Sequence, residues 1–474
     1  MARLAALVVF VLAGWSGLGA DAACARACPD DDAAIALVWP EAPRLVRTSG
    51  QITELCGACA RPGPHQPLPA TMEAALLEAQ RTVLPALAPL LHMPFFRYFE
   101  IDLGRPCAFW PNDGVCVIRD CGVEAADLAL QESLHRVARV ADAAADRFQP
   151  ADALSGDDWV EGRAASGSDG GEHTEYVDLV ANPERYTAFG GAAARVIWRE
   201  IYYNTDLTAH PPAAPGGSGS RPPVEAAADA RSPASVTAEE ALEALQRETD
   251  RRADEEPVQA MLFRAVSGMQ ASINTHLAIH HLLDKDAHLW GVDLDLYRAR
   301  VGGHPRRIAN LVFAYRLLLR AVALAGDYLL GYPLHSPAAV QHDRGSGSAA
   351  ADAMATVEHL RALLQTRRRW ALAQADPNET RPFAGAAGRA QEFDVRDHVR
   401  NITRLIDCVG CDRCRLWGRV QVTGIGTALR VLYAPDRSQV FRTLHRHDLV
   451  ALVQTLGRFA SSLSAIRLLQ PYLA

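Results

Sequence analysis

The stretch that decides how this chain reads is residues 408–433, CVGCDRCRLWGRVQVTGIGTALRVLY, in which Cys408, Cys411 and Cys414 follow one another at intervals of three inside an otherwise helical pattern. On a helix, positions i and i+3 share a face with Cα atoms about 5–6 Å apart, inside the window of about 4.4–6.8 Å that a disulfide spans. A helix N-terminus also lowers a thiol's pKa, which favours disulfide exchange. Cys408, one turn earlier, could tie the same helix to a distant segment. Three readings stand at this point: an exchanging pair with a structural anchor, a single inert disulfide, or a zinc site. The zinc site would join Cys411 and Cys414 to Cys56 and Cys59, since both pairs have Cys-x2-Cys spacing.

Working outward, the N-terminus bears on that choice. After Met1 and Arg3 comes LAALVVFVLAGW, then small residues and an Ala20-Asp21-Ala22 cleavage pattern, the layout of a secretory signal peptide over 1–22. Its apolar core is shorter than the roughly 20 residues of a membrane span, and no later segment reads as a span. The mature chain is expected in an oxidising lumen, where paired cysteines read first as disulfides. Ten cysteines occur, clustered as Cys24 and Cys28, Cys56 and Cys59, Cys107, Cys116 and Cys121, then the three at 408–414. With 474 residues and 49% hydrophobic composition the chain can bury an ample core, so the clusters look like working chemistry as well as staples. A net charge of −7 argues against a nucleic-acid surface, and RRRW at 367–370 reads as a solvated helix face.

Residues 23–70 read as a Cys-bearing N-terminal segment and 71–474 as a helical domain. TMEAALLEAQRTVLPALAPLL, 71–91, has helical spacing with Pro85 as a kink; FFRYFEIDLG, 95–104, alternates like an extended strand. Helices are expected over 127–145, from 192, over 258–284 and 308–331, and through most of the chain beyond 396, with TGIGT as a turn. Pro-, Gly- and Ser-rich composition marks 209–235 and 342–353 as disordered insertions. The fold class is mainly α: one large domain with a helical-bundle core and long loops.

Cys116 and Cys121 enclose a short segment after PCAFWPNDG, whose Pro106, Pro111, Asn112 and Gly114 are turn formers. Small exposed loop disulfides tend to be exchangeable, so this pair is either a relay partner or a loop staple. His276 and His280, at i and i+4, lack the glutamate of a His-Glu-x-x-His site and read as helix packing, so no metal is assigned. His445 and His447 read as surface residues, and GIGTAL lacks a Walker lysine. Asn378 and Asn401 head sequons.

Five blocks in one order, from about Cys56 onward, resemble the endoplasmic reticulum oxidoreductin-1 family of flavin-dependent lumenal thiol oxidases. They are RPCAFWPNDGVCVIRDCGV, YVDLVANPERYTAFGG…VIW, SGMQASINTHL, GGHPRRIANLVFAY and the 408–433 stretch. The resemblance implies that the helical bundle holds FAD, with Cys411–Cys414 beside the flavin. It also implies that Cys116–Cys121 is a shuttle oxidised by that pair and reduced by a protein disulfide isomerase, and that Cys107 pairs with Cys408. The implied FAD contacts are Arg185, Thr187, Trp198, Ser267, Gln270, Arg300 and Arg307. Arginines suit a pyrophosphate and an indole stacks on a planar ring; without the family, Trp198 reads as core and Arg306–Arg307 as a solvated pair. The implied acceptor is molecular oxygen, giving hydrogen peroxide.

Two features depart from the family pattern. Gln270 stands where the family usually has His, which bears on FAD affinity rather than chemistry. The additional cysteines that trap the shuttle in some members have no evident counterpart. The end of the chain, LQPYLA, lacks a Lys-Asp-Glu-Leu-type signal, so retention is expected through a partner or by peripheral association with the lumenal membrane face. The competing readings are a non-enzymatic disulfide- or zinc-stapled lumenal binding protein and, given Gln270, a catalytically impaired family member.

Overall fold

The structure is a computed structural model that describes residues 68–109, 122–136, 174–184, 191–207, 257–284, 289–326, 385–433 and 440–470, with a few isolated residues besides and a gap at 442. The expected signal peptide, the four N-terminal cysteines, Cys116, Cys121, both proposed disordered insertions and Asn378 lie outside these residues.

The described chain is mainly helical. Helix α1 (Ala70–Glu78) runs through a π-helical turn (Ala79–Val83) into α2 (Leu84–Leu91), then α3 (Pro94–Arg97) and strand β1 (Tyr98–Asp102). Strand β2 (Thr174–Asp178) pairs antiparallel with β1, Tyr98 opposite Asp178 and Asp102 opposite Thr174. There follow α4 (Gly191–Tyr203), α5 (Pro257–Ile279), a hairpin of β3 (His281–Asp284) and β4 (Leu289–Gly291), and α6 (Leu294–Tyr297). A second π turn (Arg298–Gly302) leads to α7 (Pro305–Leu324), and α8 (Gly385–Ile406), α9 (Asp412–Tyr433) and α10 (Arg446–Leu469) complete the fold. The core is a bundle in which α5 packs on α7 and α9 on α10, the two pairs joined through α7 and α10.

α10 is the hub, touching α1, α2, α3 and β1 as well as the bundle. It is long and apolar enough to cross a membrane by composition alone, contrary to the expectation that no later segment is, but 89% of that stretch is buried inside the protein. An all-round apolar helix is the signature of a core element as much as of a span. Its polar residues serve the packing. α3 is too short to satisfy its own carbonyls, and Arg446 donates to the carbonyls of Phe95 and Tyr98 while Gln454 donates to that of Phe96 at 2.8 Å. His445 and His447 are half-buried rather than on the surface: His445 caps α10 reciprocally with Asp448, and His447 stacks on Phe99 with ring centroids 4.3 Å apart.

Three expectations change in detail. The kink at Pro85 is a π turn, because the wider turn relieves the missing N–H and the ring clash of a helix-interior proline. The helix from 258 stops at Ile279, and 281–284 form a strand. TGIGT is no turn; it lies inside α9. A Cβ added at Gly424 would sit 2.6 Å from the Ala451 carbonyl oxygen and collide with Thr455, both on α10. Glycine is there so that two helices can approach, and the packing outweighs its poor helix propensity. Gly268 serves the α5–α7 contact in the same way, with Ala314 Cβ 2.7 Å from an added Cβ.

Candidate functional site

The three cysteines of 408–414 straddle a helix junction rather than riding on a helix. Cys408 lies in the turn after α8, Cys411 immediately precedes α9, and Cys414 sits in its first turn, where the Arg415 amide donates to the Cys411 carbonyl at 2.8 Å. All three are at most 1% exposed. Cys408 is disulfide-bonded to Cys107, Cα atoms 4.5 Å apart across 301 residues of sequence. Cys414 is a buried thiol. Cys411 is disulfide-bonded, and since Cys107 and Cys408 bond each other, its partner lies outside the described residues. That differs from a closed Cys411–Cys414 pair. The backbone of Cys411 is not yet helical, so its sulfur is not held to the face that carries Cys414. Cys56 and Cys59, the other ligands of the zinc reading, lie outside the described residues.

Around this junction the chain is fastened by charged groups. Arg415 donates to the carbonyls of Leu103, at 2.7 Å, and Arg105. Arg413 donates to that of Gly122 at 3.0 Å. With the Cys107–Cys408 bond, the segment carrying Cys116 and Cys121 is held to the start of α9 on both flanks. Arg419, one turn further, grips Asp407 with two nitrogens, both residues buried. Burial pushes the Asp407 carboxyl up, and Arg419, Arg105 and Arg415 offset only part of that.

One turn beyond Cys414, Trp417 donates its indole N–H to the Asn182 carbonyl at 2.8 Å, and the Arg458 guanidinium lies 4.8 Å from its ring centroid. Arg458 also pairs with Glu184, whose carboxyl burial pushes up against the pull of that arginine. Glu184 directly precedes Arg185 in the chain; Arg185 and Thr187 themselves lie outside the described residues. His276 and His280 stack in parallel, centroids 6.2 Å apart, inside the protein. Burial, with the charges of Arg458 and His280, drives the His276 pKa well down.

The other five FAD candidates gather where α4, α5 and α7 meet. Ser267 and Gln270, with Asn274, recur at i, i+3 and i+7 on α5. Tyr202 of α4 donates to Gln270 Oε1 at 2.6 Å, and Trp198 lies one turn earlier with ring centroids 6.1 Å apart. Asn310 of α7 donates to Ser267 Oγ at 2.9 Å. Arg300 donates to Asn274 Oδ1, and Arg307 to the Arg300 carbonyl at 2.7 Å. Arg307 is buried while Arg306 is exposed, so the adjacent arginines are not one solvated pair. Tyr202, Asn274 and Asn310 were not singled out from sequence; polar residues on the apolar face of a helix were the available signal. Asn401 is buried on α8.

The class the fold and site define is a helical-bundle protein with an aromatic and polar cluster and a buried cysteine junction at the first turn of a core helix. The family model for Endoplasmic Reticulum Oxidoreductin 1 matches residues 82–466, and the chain belongs to that family. It is 30% identical over 420 residues to endoplasmic reticulum oxidoreductin-1 of Arabidopsis thaliana, covering 82% of this chain and 75% of that one. To ERO1-like protein alpha of Homo sapiens it is 29% identical over 431 residues, covering 81% and 85%. A solved structure of Ero1p, described as the source of disulfide bonds for oxidative protein folding in the cell, shares the fold at TM-score 0.51 and 24% identity, covering 84% of this chain and 96% of that one. The protein is an oxidoreductase of the endoplasmic reticulum.

Proposed function

We propose that the protein is an FAD-dependent thiol oxidase that makes disulfides in the lumen, accepting electrons from a protein disulfide isomerase and delivering them to molecular oxygen as hydrogen peroxide. The observation that carries the reading is the fastening of both flanks of the Cys116–Cys121 segment to the junction that presents Cys411 and Cys414. A partner thiolate attacks the Cys116–Cys121 disulfide, forming a mixed disulfide and releasing one sulfur; the partner's second thiol resolves it and leaves oxidised. The reduced outer pair then exchanges with the inner pair, Cys411–Cys414, through a bond between one sulfur of each.

The residues present fit the cofactor. Trp198 and Tyr202 offer ring faces, Ser267, Gln270, Asn274 and Asn310 offer neutral donors and acceptors, and Arg300 and Arg307 bring the positive charge that a pyrophosphate needs. Gln270 can hydrogen-bond adenine or ribose where the family's His would stack. FAD held there would supply the two-electron chemistry between the inner dithiol and oxygen. The chain's own task is to bury Cys414, orient it on α9 and keep water from the junction. The Cys107–Cys408 bond holds the outer segment within reach.

Purified protein is expected to show flavin absorption bands and to consume oxygen with reduced isomerase. Cys414→Ala should keep the bands and lose at least about 10³-fold in oxygen consumption, as expected when a covalent nucleophile is removed. Colourless folded protein would falsify the reading.

A further inference from the structure

α9 carries a polar side chain that the packing does not account for. Gln421 is fully buried, and neither its Oε1 nor its Nε2 has a hydrogen-bond partner. Its neighbours fare differently: Arg419 holds Asp407, Gln454 donates to Phe96, and Thr455 donates to the Val420 carbonyl at 3.0 Å. A buried carboxamide with both ends unmade is strongly unfavourable, so its partner is expected to come from outside the chain.

The position of Gln421 narrows what that partner is. It follows Cys414 by seven residues, two helical turns, which returns it to nearly the same face about 10 Å along the axis. Between them on that face, at i+4 from Cys414, stands Gly418. The face therefore runs from a thiol, over a residue without a side chain, to an unmade amide whose side chain leans back toward the thiol, so that both can meet the one flavin ring that carries the reactive carbon and the imide.

We propose that this face of α9 is the floor on which the flavin ring lies, and that the Gln421 carboxamide pairs with the imide edge of the isoalloxazine. Oε1 accepts from the ring N3–H and Nε2 donates to the adjacent ring carbonyl. A carboxamide and an imide each present one donor beside one acceptor, so one orientation satisfies both ends. Gly418 leaves the close approach a planar ring requires. Gln421 is then a cofactor-contacting residue, and the proposal rests on the flavin reading above.

The test uses the full chain with Gln421→Leu and Gln421→Met, each purified with flavin and also stripped of it. Removing an unmade buried amide should raise the unfolding midpoint of the stripped protein by a few degrees while weakening FAD retention about tenfold and shifting the visible bands. A residue that merely packs would move both forms in the same direction. Should the branched leucine fail to fold, the unbranched methionine decides. Variants that retain FAD as tightly as the parent, with an unchanged spectrum, would overturn the proposal while leaving the oxidase reading intact. A parent protein that binds no flavin would overturn both.

Discussion

The start of α9 and the α4–α5–α7 junction are both buried and polar, yet they are held by different forces. At the cysteine junction the contacts cross more than 290 residues of sequence and are covalent or charged: the Cys107–Cys408 bond, Arg415 on Leu103 and Arg105, and Arg413 on Gly122. At the helical junction neutral hydrogen bonds between side chains on neighbouring helices, such as Tyr202 to Gln270 and Asn310 to Ser267, stand beside the bonds of Arg300 to Asn274 and of Arg307 to the Arg300 carbonyl, with no covalent tether among the described residues. The tethers on Cys107, Arg105 and Gly122 join stretches that are not helical, so strong contacts are what hold them to the junction. Residues on packed helices are already positioned, and weak neutral bonds suffice to orient them.

If that contrast is right, the largest losses come from single charges removed at the cysteine junction. Asp407→Asn strands Arg419 in a buried site and is expected to cost about 3–5 kcal/mol, whereas the double change Asp407→Leu with Arg419→Met should be far milder, because no lone charge remains. Urea unfolding of the single and double variants measures the difference, and equal losses would break the comparison. Tyr202→Phe, by contrast, should cost only about 1 kcal/mol, the worth of one neutral bond.

Arg415→Gln comes next. Losing charge-assisted bonds to two carbonyls should cost about 1.5–3 kcal/mol and loosen the outer segment. Oxygen consumption driven by reduced isomerase should then fall several-fold while bound flavin is unchanged. A loss of flavin instead would mean that the two regions are not separable.

A further effect is in pH. His276, on the helix that carries Ser267 and Gln270, has its folded pKa well below the unfolded value of about 6.5. The unfolded chain therefore binds the extra proton, and stability falls as pH drops below that value, by at most about 1.4 kcal/mol per pH unit for one group. Asp407 has the opposite sign: its folded pKa is raised, so the cost of burying its charge is relieved on acidification. Unfolding midpoints between pH 7 and 5 should fall for the parent and fall less for His276→Gln; an unchanged slope would remove His276 from the account.

Much of this was legible in the chain. The helical class followed from spacing, and the five blocks in order pointed to the family before any coordinates. Helix ends and interruptions were less legible. Pro85 announced a break without saying that it would be a π turn, and the run through 258–284 did not reveal that 281–284 leave the helix for a strand. TGIGT was misread because glycine is a helix breaker in isolation and a helix-packing residue when Thr455 and Ala451 of another helix press against it.

What the sequence by itself determined is the menu of chemistry: ten cysteines in clusters, arginines and a tryptophan of the right types, and helices long enough to build a bundle. Only the tertiary structure decided which of these meet. Cys107 reaches Cys408, Arg415 reaches Leu103, and Trp417 reaches Asn182 across hundreds of residues. It also decided which polar groups are left unmade, Gln421 among them. Local pattern sets secondary structure because backbone preferences act within a few residues. Partnership between distant side chains is set by how the helices pack, which no short window of sequence records.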